Sequence, residues 1–254
     1  VKFERLDRRM RVYETAHDHC VLPGVHIVAR IDGRSFSHLT REGQGFEAPY
    51  DEGFRDAMVA TLQHLATGAG FGVLYGYTQS DELSILLRRD EATFGRKLRK
   101  LLSVLASEAT SRFVLALGRH AAFDARISQL PRDEDVVDYF RWRQEDALRN
   151  ALNGHAYWLL RRRGMGDREA TDALKGVGVP ARQEMLFEAG INFNDLPAWQ
   201  KAGIGIYFTE ERRRGTNPKT GEATEGVRRR AVVDAELPVR GDYDAFLREL
   251  IARQ

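Results

Sequence analysis

Val73-Leu74-Tyr75-Gly76-Tyr77-Thr78-Gln79-Ser80-Asp81-Glu82-Leu83-Ser84-Ile85-Leu86-Leu87 holds two apolar runs separated by a short polar turn. The pattern predicts a β-hairpin with Asp81 and Glu82 near its tip, because Ser and Asp favour turns and the flanking residues favour strands. Upstream, His26-Ile27-Val28-Ala29-Arg30-Ile31 predicts a buried strand ending at Asp32-Gly33. Gly33 allows the backbone to turn or to approach a ligand closely.

Helices fill the intervals. After Pro49, Phe54, Met58, Leu62 and Leu65 recur at helical spacing, and Gly68, Gly70 and Gly72 end that stretch. A long amphipathic helix is predicted from about Glu91 to Leu117, buried through Phe94, Leu98, Leu101, Leu102, Leu105, Ala109 and Phe113. A further strand is expected from Phe123 to Leu130. The order strand, helix, strand, strand, helix, strand predicts an α+β, ferredoxin-like fold: an antiparallel sheet with helices on one face. Nucleotidyltransferase palms share this arrangement, although a fold alone does not fix a function.

The second half reads as helix-rich. Asp133 to Arg163 is expected to be helical with a break near Asn153-Gly154, and Pro180 to Glu188 to form a short helix. Gly203 to Phe208 and Val227 to Val233 read as two strands, with an exposed, mobile polar loop over residues 215–221 between them. Asp242 to Arg253 reads as a closing amphipathic helix. With no repeat and no extended linker, a palm-like catalytic region over 1–132 and a helical and hairpin region over 133–254 are expected to pack together.

Composition bounds the rest. The 254 residues are 43% hydrophobic and 30% charged, a globular balance, and the net charge of +2 argues little for a nucleic-acid partner. Local clusters say more. The runs Arg161-Arg162-Arg163, Arg212-Arg213-Arg214 and Arg228-Arg229-Arg230 suit either a phosphate backbone or solvated element ends. Cys20 is the single cysteine, so no internal disulfide is possible, as expected in a reducing cytoplasm. The charged first eleven residues lack a signal-peptide core and no apolar run is long enough to span a bilayer, so a soluble cytoplasmic chain is expected.

Asp32 and Asp81 fall at the tips of neighbouring central strands of the inferred sheet. Magnesium favours a few carboxylates completed by phosphate oxygens and water, so the pair suits a two-carboxylate site, with the Gly33 carbonyl as a further oxygen. Glu82 either binds a second ion or orients Asp81. Arg30 is a salt-bridge partner or a phosphate contact. Lys97, Arg99 and Lys100 are solvated charges or a triphosphate clamp. Trp142, Trp158 and Trp199 read as packing residues. His17-Asp18-His19-Cys20 has no second ligand pair for zinc, and Cys20 has no identifiable base. The P-loop and dinucleotide glycine patterns are absent.

Several motifs, in order, carry a family resemblance: Arg30-Ile31-Asp32-Gly33-Arg34-Ser35-Phe36, Tyr77-Thr78-Gln79-Ser80-Asp81-Glu82-Leu83, Asp138-Tyr139-Phe140-Arg141-Trp142-Arg143-Gln144, Glu184-Met185-Leu186-Phe187 and Ile191-Asn192-Phe193-Asn194. The chain resembles the histidine-tRNA guanylyltransferase family, including its bacterial and archaeal guanylyltransferase-like members. The resemblance implies 3′-to-5′ nucleotide addition at tRNA 5′ ends, after activation by a nucleoside triphosphate such as ATP, with GTP or other triphosphates as substrates. It implies two Mg2+ ions on Asp32, the Gly33 carbonyl and Asp81, with Glu82 beside them as a third catalytic acid. It implies nucleotide contacts at Arg30, Gly33, Arg34, Ser80, Lys100, Arg182 and Asn192, tRNA as partner, and a homo-oligomer, tetramer or dimer.

Two departures matter. Leu148-Arg149-Asn150-Ala151 stands where eukaryotic members carry His-Ile-Asn-Asn, and Ala48 replaces a basic residue before Pro49. These favour templated repair of truncated tRNA 5′ ends over guanylate addition to histidine tRNA as the main role. The alternatives are a palm-type nucleotide cyclase, whose paired turn glycines are missing here, and an inactive tRNA-binding module, against which the retained acids weigh.

Overall fold

The computed structural model describes residues 2–40, 45–216 and 223–254. In chain order these form α1 (Phe3–Glu14), β1 (His26–Gly33), α2 (Phe36–Leu39), α3 (Glu52–Thr67), β2 (Val73–Gln79), β3 (Glu82–Leu87), α4 (Leu98–Leu117), β4 (Phe123–Leu130), α5 (Asp133–Arg162), α6 (Asp167–Ala173), α7 (Val179–Glu188), α8 (Ala198–Ala202), β5 (Ile204–Thr216), β6 (Ala223–Asp234) and α9 (Gly241–Ala252). All strand pairings are antiparallel, in the order β4-β1-β3-β2-β5-β6. The first four strands keep the 4-1-3-2 order of the ferredoxin-like unit. The second half then adds β5 and β6 to the free edge of β2.

Helices cover both faces, not one as the sequence reading had it. On one face Met58, Leu62 and Leu65 of α3 and Leu101, Leu105, Ala109 and Phe113 of α4 pack on Ile27, Ala29, Ile31, Leu83 and Ile85. On the other, Val136, Val137 and Phe140 of α5 and Tyr243, Leu247 and Leu250 of α9 pack on Val28, Tyr75, Tyr77 and Leu86. The strands read as near-continuous apolar runs for that reason: both sides are buried. Gly76 shows how closely α3 lies, since a Cβ there would sit 2.8 Å from Leu62 Cδ1.

Three expected boundaries change. The long helix starts at Leu98, not near Glu91. Glu91 instead accepts from the Thr93 and Gly72 amides, and Arg96 is buried with its guanidinium donating to the carbonyls of Val21, Leu22, Val25 and Glu91. Positive φ at Phe94 and Arg96 (56° and 58°) breaks the helical run, and Phe94 is exposed, not on the buried stripe. Next, α5 runs unbroken through Asn153-Gly154 because its face there is apolar, with Ala151, Leu152, Ala156 and Leu159 buried. Last, β5 and β6 continue past the expected strand ends as a two-stranded ribbon. β2 pairs only with Ile204 to Tyr207, while β5–β6 pairing extends to Thr216↔Ala223. The predicted polar loop therefore contributes Gly215 and Thr216 to β5, and its remainder lies outside the described residues. Among the described residues, no helix is long and apolar enough to cross a membrane.

Candidate active site

Register brings the acids together. Asp32, near the end of β1, is the cross-strand partner of Glu82, the first residue of β3. Gln79 pairs with Glu82, so Ser80 and Asp81 form a two-residue turn, with Ser80 at φ 54°. The Gly33 amide donates to the Asp81 carbonyl at 3.0 Å, tying the β1 tip to the hairpin tip. Gly33 also lies against Phe36, where a Cβ would meet the ring at 2.6 Å. A side chain there would push the turn away from the core.

The charges around these acids are unequal. Glu82 lies between two guanidiniums, with Arg30 Nη2 at 2.6 Å and Arg143 Nη1 at 2.9 Å. Burial pushes its carboxyl upward while Arg143 and Arg30 oppose that shift. Asp32 is met by Arg30 Nη2 at 3.2 Å and Arg126 Nη2 at 3.6 Å. Asp81 takes part in no ion pair among the described residues. Burial, and then the nearby Asp32 charge, hold its carboxyl above the usual range. A half-buried acid without a cation, facing a second acid, is a fitting donor for a hard metal ion, which would supply the missing positive charge. No third acid or histidine joins them in a ready-made ligand cluster among the described residues. That suits magnesium, which keeps waters and phosphate oxygens in its shell.

Two cavities that share a wall flank the turn. A polar one of about 390 Å³ is lined by Arg30, Asp32, Asp81, Glu82, Arg143, Asp146 and Asn150, among others. A more apolar one of about 300 Å³ is lined by Phe46, Phe54, Met58, Trp199 and neighbouring residues. Tyr50, Ser80, Asp81 and Trp158 line both. The Arg55 guanidinium lies 4.8 Å from the centre of the Trp199 ring, and Tyr50 packs edge-on to the same ring. Asp51 caps α3 through the Phe54 amide at 2.8 Å, which fixes this wall. Gln79 Nε2 donates to the Gln200 carbonyl at 2.8 Å, anchoring α8 beside the hairpin.

The structure gathers only part of the expected site. Asp32, Gly33, Asp81, Glu82, Arg30 and Ser80 converge. Arg34 is exposed beside them, its amide bonded to the Ala122 carbonyl, and lines neither cavity. Lys100 stands in the first turn of α4, which follows the loop tied to Val21–Val25 before β1, at the sheet end opposite Asp32. Arg182 donates to the Leu174 carbonyl on the α7 side, and Asn192 is engaged locally with Asn194 and Asp195. None of these three lines either cavity within the chain. Lys97 and Arg99 both pair with Asp18 instead of forming a clamp.

Other residues at the site were not singled out by the sequence reading. Arg143 and Asp146 stand on α5 at the polar cavity, and Tyr50 and Arg55 enter from the α3 side. Trp158 and Trp199, read as packing residues, are cavity walls. The spacing Arg143, Asp146, Asn150 along one helix face was the available signal. Leu148, at the position of the replaced histidine, is exposed and lines neither cavity, whereas Asn150 does.

Adjacent carboxylates at the strand tips of a βαββαβ sheet, beside a cavity able to receive phosphates, define a palm-type nucleotidyltransferase. Comparison with known proteins narrows the class. Residues 7–131 match the family model described as tRNAHis guanylyltransferase, and residues 134–239 match the Thg1 C-terminal domain. The chain belongs to the tRNAHis guanylyltransferase family, whose members add nucleotides to the tRNA 5′ end. It is 34% identical over 200 residues to a probable tRNA(His) guanylyltransferase of Drosophila melanogaster, covering 73% of this chain and 68% of the relative. It is 31% identical to the tRNA(His) guanylyltransferase of Saccharomyces cerevisiae, covering 76% and 86%. Its fold matches a bacterial tRNA(His) guanylyltransferase (Thg1)-like protein solved in complex with ATP, at TM-score 0.73 and 30% identity over 97% of this chain and 99% of that one. A bacterial Thg1-like protein in complex with GTP matches at TM-score 0.72 and 29% identity, with the same coverage.

Proposed function

We propose that this chain is a magnesium-dependent enzyme that repairs truncated tRNA 5′ ends by templated 3′-to-5′ nucleotide addition. The observation that carries the reading is the Asp32–Asp81 pair at the polar cavity, in a member of this family. Asp32, Asp81 and the Gly33 carbonyl would hold the two magnesium ions, which supply charge neutralisation for phosphoryl transfer when bound. The polar cavity, with Arg30 on its wall, receives a triphosphate, and the aromatic cavity receives a base between Tyr50, Trp158 and Trp199.

In the first step a 5′-monophosphate oxygen of the tRNA attacks the α-phosphorus of ATP, and pyrophosphate leaves. The 3′-hydroxyl of the incoming nucleotide then attacks the activated 5′ phosphate, and AMP leaves. The chain's part is alignment and charge balance, with no protein nucleophile required. Exposed arginines of the β5–β6 ribbon, Arg212, Arg228 and Arg230, suit contact with an RNA backbone. Arg229 is held back, stacked 3.8 Å from the centre of the Phe208 ring and bonded to the Val73 carbonyl. By family likeness the working form is a homo-oligomer.

The lost histidine at Leu148 and Ala48 in place of a basic residue before Pro49 support repair. The naming of the relatives favours a second reading, guanylate addition to tRNAHis. Both are tested by incubating the protein with Mg2+, labelled nucleoside triphosphates, histidine tRNA and several tRNAs lacking their first 5′ nucleotide. Repair predicts template-matched addition across the truncated tRNAs. Labelling confined to histidine tRNA would establish the second reading, and no labelling of any tRNA would defeat both.

A further inference from the structure

Arg143 is buried in the middle of α5, at 6% exposure, yet its guanidinium points to the acids. Nη1 donates to both Glu82 oxygens, at 2.9 and 3.2 Å, and Nη2 reaches Asp146 at 3.4 Å. The ring of Trp142 stacks on the guanidinium at 3.7 Å. Asp146 is itself held by Arg149 at 2.7 Å and Asn150 at 3.3 Å. Arg143 is thus fixed on three sides. Glu82 is fixed between Arg143 and Arg30, and Arg30 Nη2 bridges Glu82 and Asp32.

This arrangement decides what Glu82 is free to do. Both its oxygens are engaged by Arg143 and one also by Arg30, so its charge is already balanced. A carboxylate so occupied is a poor ligand for a further cation and a good strut for a guanidinium. Arg30 Nη2 donates to Asp32 Oδ2 at 3.2 Å and pairs with Glu82 Oε2 at 2.6 Å. Its Nη1 has no bond to either acid, and Arg30 lines the polar cavity. With Nη1 engaged by neither acid, the guanidinium keeps donors for a polyphosphate in that cavity.

We propose that Arg143 is a positioning residue which, through Glu82, holds Arg30 at the polar cavity to receive the triphosphate of a nucleotide. The inference rests on the nucleotidyltransferase reading of the site but is tested by binding, so the two fail separately. The full chain and its Arg143→Gln, Arg143→Lys, Glu82→Gln and double Arg143→Gln/Glu82→Gln variants are titrated with ATP, inorganic tripolyphosphate and adenosine. Mn2+ binding without nucleotide is followed by the free-ion EPR signal, and folding by circular dichroism. Arg143→Gln is expected to weaken ATP and tripolyphosphate about tenfold, the effect of one lost charge-assisted contact. Adenosine and Mn2+ binding should stay within about twofold, outside that range of loss. Arg143→Lys should recover part of the affinity, and the double variant should bind no worse than the weaker single one. Unchanged tripolyphosphate affinity in folded Arg143→Gln overturns the proposal. So does an equal loss of Mn2+ affinity in Glu82→Gln, which would make Glu82 a metal ligand. If Arg143→Gln does not fold, Glu82→Gln is judged by the same tripolyphosphate criterion. A wild-type chain that adds no nucleotide to any tRNA would defeat the enzymatic reading and leave the binding comparison to decide this one.

Discussion

The Gly33 amide donates to the Asp81 carbonyl at 3.0 Å, so one backbone bond joins the β1 tip to the turn between β2 and β3. The two acids are held as neighbours by main chain, and side-chain replacement leaves that bond in place. Asp32→Asn and Asp81→Asn should each lower nucleotide addition by at least about a hundredfold, the scale of losing a preorganised electrostatic group. Stability should not fall in Asp81→Asn, because Asp81 loses a desolvation penalty and a repulsion from Asp32, whereas Asp32→Asn also gives up its pairing with Arg30. Gel-resolved addition assays beside thermal melts measure both. Full activity in both variants would remove the metal assignment.

Gly33 gives a second expectation, from packing. A Cβ there would meet the Phe36 ring at 2.6 Å, and that ring is wedged against Phe54, Phe113 and Phe123. Gly33→Ala should destabilise by about 1–3 kcal/mol, the usual cost of overpacking. Adding Phe36→Leu should return part of the loss, since the space then exists. Urea unfolding of the two variants checks the pair, and a Gly33→Ala protein as stable as the parent would show that the ring gives way freely.

What the sequence disclosed follows the range of each signal. The palm strands were legible because each is a short apolar run ended by turn residues, and Asp32 and Asp81 because they close such runs. Phe94 misled because helical spacing registers apolar residues and not the Arg96 side chain that organises the loop around them. The second helical layer was hidden, since one sequence cannot say that α5 and α9 fold back onto the sheet. Arg143 sat within a quoted motif yet went unassigned: its role depends on meeting Glu82, 61 residues away in sequence. Lys100 shows the converse, a charge plausible by type that the topology sets at the far end of the sheet.

The aromatic cavity predicts a separable effect on substrate binding. Trp199 is flanked by Tyr50 edge-on and Arg55 at 4.8 Å, and it lies across the cavity wall from the Ser80–Asp81 turn. Base stacking on an aromatic ring contributes about 1–3 kcal/mol. Trp199→Ala should therefore raise the KM for the nucleoside triphosphate about tenfold or more while lowering kcat far less. Trp199→Phe should keep most of the affinity. Steady-state kinetics with saturating tRNA tests this, and an unchanged KM in Trp199→Ala would mean that the base lies elsewhere.

The last expectation is a pH dependence carried away from the acids. His155 is buried on α5, and its Nε2 lies 3.0 Å from Gln200 Oε1. Tyr50 and Phe193 pack against its ring. Burial lowers its pKa below the ordinary 6.5, the Arg162 charge lowers it further, and the Gln200 bond opposes them. Because the folded value is depressed, the unfolded chain binds the proton first as pH falls. The stabilising contribution of neutral His155 is therefore complete above about pH 6.5 and is lost as pH falls towards the lower folded value. The Gln200 bond itself favours the imidazolium, so burial and the Arg162 charge, not release of α8, carry this loss. His155→Gln should flatten the decline of Tm below about pH 6.5, the ordinary imidazole value from which its pKa is shifted down. Calorimetry of both proteins across that range, at constant ionic strength, provides the measurement. Parallel Tm profiles would show that other groups carry the acid sensitivity.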